Sequence, residues 1–505
     1  MGVLAAYDTV GIQNYIFASN KLAENVGGSI LVADIFVKVL PQAITAITGQ
    51  QHNEWRGKGA LNPSLKVEII YQGGGNAFVA FADEKDFQDV TKDFLIRTSQ
   101  TAPGVGIAVA AIETDFKDNY KRDFAKLNDR LTLVKGGFNI PVFAGNQPIT
   151  KQSGRTGLPV SSYRDDEYLS EDQVKKRDRY KVYKSEHKSN IEVFDDLAFE
   201  KGSDSLIAIV HVDGNNMGKH IKSIMDQFDT YKEAVSEIRK LSEKIDKCYK
   251  EALQRTITAF KAAYQEYVIA YRATHPSKEH SDKQINPPML ELIGDGDDTT
   301  LVISGRFAID FSARLLREIE KTCVENRPFK DIVPYACAGV VLFHSHFPFS
   351  EAYKLAEELC TSAKKPSRET DGSYIDFHIH QSGNVAGLSA LRDAQYRVDG
   401  LTVLRRPWRV TEGYESEQPN FKWFEKHIKT VKDMPRNKTK AIRNAIGAGD
   451  KAVEIALSQL RYDKLPERPI EPDEKMSKYA HYFDILEISD DYENLLNKEV
   501  GNSVE

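Results

Sequence analysis

The stretch IGDGDDTTLV at residues 293–302 decides the fold, because two adjacent carboxylates, Asp297 and Asp298, interrupt a run that is otherwise apolar and β-branched. It reads as strand, glycine turn, strand: residues 290–293 lead in, Gly294 and Gly296 permit the turn, and residues 299–302 lead out. Two neighbouring carboxylates at a hairpin tip repel each other, and a divalent cation shared with a third ligand removes that repulsion. A third ligand has a candidate upstream. In SLIAIVHVDGNNMGKHI (205–221) a strand of buried type, 206–212, ends in Asp213 and runs through a Gly- and Asn-rich turn into a helix. Each signal alone has a plain reading. Asp-Asp in a glycine turn is ordinarily a solvated turn, and Asp213 before Gly214 is ordinarily a turn or a helix cap.

The order of the two signals separates these readings. After the hairpin comes an amphipathic helix over 307–323 with Phe311, Leu315, Leu316 and Ile319 on one stripe, then a strand at 335–343 and a helix at 352–365. A last strand, 373–380, alternates Ile375, Phe377 and Ile379 with Tyr374, Asp376 and His378. The pattern is β-α-β-turn-β-α-β-α-β, an α+β arrangement: a ferredoxin-like palm of nucleotide-cyclase type, with a helical insertion (225–285, densest at 230–271) in its first α segment. Asp213, Asp297 and Asp298 then stand where palm-type polymerases and nucleotide cyclases hold Mg²⁺ against a triphosphate. They are the candidate catalytic residues and the candidate ligands of Mg²⁺ or Mn²⁺. Gly214, Asn215, Asn216 and Gly218 offer turn amides to phosphates at the start of the following helix, and Gly296 opens the hairpin tip, so these five are candidates for nucleotide binding.

The same order occurs once before. A strand at 3–7 ends near Asp8, a helix carries Gly27, Gly28 and Ser29 at its start, and strands 67–71 and 77–81 flank a GGGN turn at 73–76. A helix at 84–99, a strand at 105–112 and a helix at 119–133 complete an internal repeat. GGGN carries no carboxylate, so this hairpin completes no cation site. Its bare glycines let a nucleotide approach the backbone, which makes Gly74, Gly75 and Asn76 further nucleotide-binding candidates. Read alone, the turn is equally an ordinary hairpin. The expected domains are a first, degenerate palm at 1–138, a linker region at 139–204, a second palm at 205–382 and a mostly helical C-terminal domain at 383–505. Helical segments in the last are expected at 421–431, 437–446 and 453–461, broken by Pro466, Pro469 and Pro472 before a final segment at 476–496.

The motifs YDTVGIQNYIF (7–17), YQGGGNAFVAF (71–81), HVDGNNMGKHI (211–221), IGDGDD (293–298) and AEELCTSAKK (356–365) together resemble the large polymerase-like subunit of type III CRISPR effector complexes. More distantly the chain is similar to GGDEF diguanylate cyclases. The resemblance covers residue 4 to at least 410. It implies two palms, the first degenerate, and conversion of ATP into cyclic or linear oligoadenylate messengers for antiviral defence, with two ATP molecules between the palms and Mg²⁺ on the second. It also implies that Lys364 is the phosphate-binding lysine and that the C-terminal helices pack on small effector subunits. By itself, a lysine late in a helix is as readily a solvated one. The departures are Asp295 in place of the first glycine of the family's GGDD, a start directly on the first palm strand without an HD nuclease domain, and four scattered cysteines with no C-x-x-C pair to support a zinc knuckle. At Asp295 a tolerated turn residue is the favoured reading over an added ligand or a shifted nucleotide preference.

Composition agrees with a cytoplasmic enzyme: 505 residues at 41% hydrophobic content allow several cored domains, and four dispersed cysteines suit reduced thiols. No apolar run is expected to span a bilayer, residues 1–10 lack signal-peptide features, and a net charge of −6 argues against a broad nucleic-acid surface. The segment KKRDRYKVYKSEHK (175–188) mixes basic residues with Tyr180 and Tyr183, as an RNA contact would, but acidic neighbours favour a solvated linker. The pairs His344/His346 and His378/His380 are favoured as ordinary hairpin or sheet-surface histidines over metal ligands. Two function classes stay open: a nucleotidyltransferase acting on ATP or another NTP, and a catalytically quiet scaffold that binds nucleotide, effector subunits and crRNA or target RNA. A diguanylate cyclase is disfavoured, since one chain already carries both half-sites. A homo-oligomer is compatible with the first class.

Overall fold

The computed structural model describes residues 1–51, 59–137, 150–199, 205–274, 287–330, 332–381, 386–412, 420–460, 465 and 475–496, with the side chains of Ile293 and Asp295 excepted. The expectation for the Asp295 side chain and the proline break at Pro466, Pro469 and Pro472 therefore lie outside the described residues.

Two sheets of like order organise the chain. The first runs from β1 (Gly2–Val10) through α1 (Ile12–Ile16), α2 (Leu22–Asp34) and α3 (Leu40–Thr48) to the hairpin β2 (Val67–Gly73) and β3 (Asn76–Phe81). It continues through α4 (Glu84–Thr101), β4 (Gly106–Thr114) and α5 (Tyr120–Gly136), with strand order β2-β3-β1-β4. A small hairpin, β5 (Val160–Arg164) and β6 (Glu167–Ser170), leads into α6 (Glu171–His187). The second sheet opens with β7 (Leu206–Gly214), followed by α7 (Met217–Met225) and the 44-residue α8 (Tyr231–Thr274), the expected insertion. Then come β8 (Met289–Asp295), β9 (Asp298–Ser304), α9 (Gly305–Asn326), β10 (Ala336–His344), α10 (Phe349–Thr370) and β11 (Tyr374–His380). Strands β8-β9-β7-β10 repeat the first order, and β11 and β14 (Trp408–Arg409) extend the sheet. Between them lie α11 (Leu388–Gln395) and the short pair β12 (Arg397–Val398) and β13 (Leu401–Thr402). The chain closes on α12 (Phe421–Lys432), α13 (Arg436–Ile446), α14 (Asp450–Gln459) and α15 (Ala480–Ile488).

The strands of the second sheet are apolar on both faces because helices cover both. Every residue of β11 is buried, so the in-and-out alternation expected there becomes two interior faces, one of them accepting Asp376, His378 and His380. Asp376 is held by a bidentate Arg392 from α11, at 2.6 and 3.0 Å. One core joins the sheets: Phe17, just after α1, packs on Phe349 and Tyr353 of α10 at ring-centroid distances of 5.4 and 4.4 Å. The C-terminal helices share another core with the second sheet and α9, in which Trp408, Phe424 and Ile485 are fully buried.

Several expectations are corrected. Gly27 and Gly28 lie in the middle of α2, not at its start, and they are small because α6 crosses there: a Cβ on Gly27 would run into the Lys176 carbonyl. The segment 175–188 is accordingly no solvated linker. Lys176 is buried, donating from Nζ to the Tyr15 carbonyl at 2.7 Å and lying over the Tyr15 ring, while Asp172 supplies its counter-charge at 3.3 Å. A basic face with aromatic neighbours looks the same in sequence whether it is wet or packed, and only α2's glycines distinguish the two. The run Leu22–Thr48 is also long and apolar enough to cross a membrane by length and composition, against the expectation of no such run; half of that window is buried inside the chain. Most of its apolar residues face the shared core between the sheets, while Val37 and Ile47 are exposed.

Candidate functional site at the DGDD hairpin

The site forms where three backbone ends meet. Strand β7 sits between β9 and β10, with Val212 opposite Thr299 and Asp213 opposite Cys337. Continuing that register sets Asp213 across from Asp298, the first residue of β9. The β8–β9 turn is two residues, with Asp295 paired to Asp298. Only Gly296 takes a left-handed φ, +64°, the pattern of a type II′ turn, so Asp297 occupies the second turn position at no backbone cost. Gly214 is required here for space. A Cβ on it would come 2.6 Å from Asp297 Oδ2 and 2.8 Å from the Tyr249 hydroxyl of α8.

Electrostatics bind the group together. Burial, and then the charges of Asp213, Asp297 and Glu357, push the Asp298 carboxyl up to about 8, against the opposing pull of Lys364. Its Oδ1 is buried without a hydrogen-bond partner among the described residues, although the side chain as a whole is 42% exposed. His211, buried behind it and donor or acceptor to Thr300 Oγ1 at 3.0 Å, is pushed down to about 4 by burial. Lys364 pairs with Asp213 Oδ2 and is well covered, at 14% exposure. It stands inside α10, which runs on to Thr370, and not in the terminal turn expected for it. Just before α7, Asn215 is fixed by its amide to the Tyr335 carbonyl at 2.7 Å and by its side chain to Ser367 at 2.9 Å, its Oδ1 buried with no hydrogen-bond partner among the described residues. Asn216 takes a left-handed φ of 57° to cap α7, and Gly218 faces open space.

Hard carboxylate oxygens, an orphaned buried oxygen and mutual repulsion suit a hard divalent cation. Among the described residues no group of three or more His, Cys, Asp or Glu is arranged to hold a metal ion; Mg²⁺ is commonly bound through one or two carboxylates, with water and phosphates filling the rest of its shell. The histidine pairs lie elsewhere: His378 and His380 are buried in β11 and not on a sheet surface as expected, because helices cover both faces, and His346 contacts Asp195 at 3.3 Å.

The GGGN candidates are not in this cluster. Gly74 and Gly75, both left-handed at φ 60° and 75°, turn the β2–β3 hairpin, and Gly75 abuts Ile12 at the start of α1. The link to the second site is the next residue, Gln13, whose side-chain amide donates to Glu357 of α10. Sequence reading missed Gln13, His211 and Glu357 as site residues although they lie inside the motifs at 7–17, 211–221 and 356–365, and missed Tyr249, which lies in none of them. It also missed that Asp8 pairs with Lys135 of α5 at 2.9 Å. Lys135 and Lys364 stand at the same position of their helices, counted from Tyr120 and Phe349, so the repeat itself is the signal that could have found them.

Residues 206–371 match the family model of the Cas10/Cmr2 second palm domain. This part of the chain is similar to a Cas10/Cmr2 second palm. The Cas10-like fold extends further, since solved structures of Csm1 match over nearly the whole chain. Csm1 in a Csm1–Csm4 cassette with AMPPNP aligns with TM-score 0.54 at 13% identity, over 97% of this chain and 69% of that one. The apo cassette gives the same values. The Csm1–Csm4 subcomplex of a type III-A CRISPR–Csm interference complex aligns with TM-score 0.51 at 13% identity. At this identity the likeness is one of fold. No curated protein matches the Cas10-like chain in sequence.

Proposed function

We propose that the chain is a palm-type nucleotidyltransferase that joins ATP into linear or cyclic oligoadenylates as the large subunit of a type III effector. The observation that supports this most is the meeting of Asp213 and Asp298 across two strand ends with Asp297 in the turn beside them, where burial and then the neighbouring carboxylates push the Asp298 carboxyl up to about 8. A scaffold gains nothing from such a cluster. Solved Csm1–Csm4 cassettes carrying cA3, cA4 and pppApApA support the same substrate class.

In this reading Asp213, Asp297 and Asp298 hold Mg²⁺ or Mn²⁺, which supplies charge neutralisation of the triphosphate and a lowered pKa for the attacking hydroxyl. The chain's own groups do the rest. Lys364 turns from Asp213 towards the phosphates, the amides from Gly214 to Gly218 receive phosphate oxygens at the start of α7, and Gly296 leaves the hairpin tip clear. The acceptor nucleotide approaches along Gly74, Gly75 and Asn76. A hydroxyl of one nucleotide attacks the α-phosphate of the other with loss of pyrophosphate.

The test is incubation of the purified chain, alone and with its effector partners and target RNA, with each NTP and Mg²⁺, products being identified by mass spectrometry. Asp297→Ala with Asp298→Ala should lower turnover by at least about 100-fold, the loss of several kcal/mol of transition-state stabilisation, with the fold intact. Turnover retained in the folded double variant rejects catalysis here and leaves the scaffold reading.

A further inference from the structure

The long insertion α8 touches both palms. At its N-terminal end Tyr231 donates to Asp123 Oδ2 of α5 at 3.0 Å, and its amide donates to the Lys117 carbonyl at 2.8 Å. One turn and more further on, Arg239 grips the edge strand of the first sheet: it pairs with Glu68 at 2.8 Å and donates to the Ile69 carbonyl at 2.7 Å. Both side chains of that ion pair are buried, at 8% and 4% exposure, so the clamp is a built contact and not a surface salt bridge. Beyond Leu241 the helix packs on α9 in the core of the second palm.

At that crossing stands Tyr249. It is 3% exposed, and its hydroxyl has no hydrogen-bond partner among the described residues. A buried phenol without a partner is costly, and so is rarely left that way without a function. Its oxygen and Asp297 Oδ2 converge on the same point of the β7 backbone, 2.8 and 2.6 Å from where a Gly214 Cβ would be. No part of a palm fold requires a hydroxyl there; a phenylalanine would fill the space equally.

We propose that Tyr249 is a positioning residue of the hairpin site, its hydroxyl donating to Asp297 as that carboxylate turns to a divalent cation, so that the insertion helix links the first palm's edge to the metal ligands. The inference rests on the reading of Asp297 as a ligand. It accounts for three features together: the glycine at 214, the unpaired phenol, and the buried clamp at Arg239 that fixes the helix from the other palm.

The experiment is Mn²⁺ binding to the full chain, followed by electron paramagnetic resonance and calorimetry, in the wild type, Tyr249→Phe, Asp297→Asn and the double variant. Tyr249→Phe should keep the wild-type thermal midpoint and weaken Mn²⁺ binding about tenfold, the size of one hydrogen bond to a charged group. In the Asp297→Asn background the same change should have no effect, since the phenol acts through Asp297. A merely structural tyrosine would give equal losses in both backgrounds, and this would overturn the proposal, as would unchanged affinity in Tyr249→Phe. If the wild type itself binds no Mn²⁺, the metal reading of the hairpin fails and Tyr249's role fails with it. Should Tyr249→Phe not fold, Arg239→Ala tests the same link, and Mn²⁺ affinity unaltered by loss of the clamp then rejects it.

Discussion

The two palms carry the same strand order and the same register at the hairpin, yet only one collects carboxylates. In the first, Asp8 lies opposite Asn76 and pairs with Lys135; in the second, Asp213 stands across from Asp298 and pairs with Lys364. The repeat thus retains an aspartate–lysine pair twice and changes the hairpin. Gly75 is left-handed at φ 75°, a conformation that disfavours a side chain, whereas the equivalent position in the second hairpin has an ordinary φ and holds Asp297. Turn geometry and chemistry changed together. A carboxylate at Gly75, the position of Asp297, would meet Ile12 as well as a left-handed backbone.

The lysines break this comparison most sharply. Lys364 is 14% exposed and Lys135 is 44% exposed, so their pairs are unequal in worth. Lys364→Ala should lower ATP turnover about tenfold or more, since it strands Asp213 beside two further carboxylates. Lys135→Ala should cost less than about fivefold, as for an exposed pair. Steady-state kinetics on both variants decides, and equal losses would mean that the two palms handle phosphate alike.

A smaller and more selective effect is expected at the glycines. Gly214→Ala must displace Met217, Asp297 and Tyr249, all within 3 Å of the new Cβ, and should reduce turnover and Mg²⁺ dependence. Gly75→Ala meets Ile12 and a left-handed backbone, costing roughly 1–2 kcal/mol of stability while sparing Mg²⁺ affinity. Gly218→Ala faces open space and serves as the accommodated control. Thermal midpoints and Mg²⁺ titrations of the three would show whether the site tolerates change where the space is free. A Gly75 variant with altered Mg²⁺ affinity would undo the division between the palms.

The smallest effect concerns acid. In the second palm His378 is held down to about 3 by burial and then by Arg406, Arg392 and His380, and His481 on α15 is held down to about 4 by burial and Arg405. The first palm's sheet has no histidine among its described strands. A depressed histidine contributes stability above its free value near 6.5 that is lost as pH falls from there towards its folded value. The wild type should therefore lose thermal stability between about pH 6.5 and pH 5 more steeply than His378→Leu. Identical pH profiles for the two would remove His378 from the account.

Much of this was legible in the chain. Period-two alternation, glycine turns and β-branched runs are local, so the two β-α-β-β patterns, the DGDD hairpin and the helical insertion could be read in order. What could not be read is what each helix packs against. Gly27 and Gly28 look like a helix start until α6 is seen crossing them, and Lys176 looks solvated until its ammonium is found on the Tyr15 carbonyl. The apolar run Leu22–Thr48 passes for a membrane span or a core helix by composition alone, and only its burial between two sheets distinguishes these.

The sequence by itself determined that Asp213, Asp297 and Asp298 sit at strand ends, because strand periodicity and turn residues are properties of neighbours in the chain. Tertiary structure alone decided which groups surround them: Lys364, 151 positions away, on Asp213, Glu357 and Gln13 joining the palms, and Tyr249 beside Gly214. Those partners come from distant segments, and the motifs that contain Lys364, Glu357 and Gln13 do not say which group each side chain meets. A charge or hydroxyl is drawn to its site by burial and complementarity, which the linear order does not record.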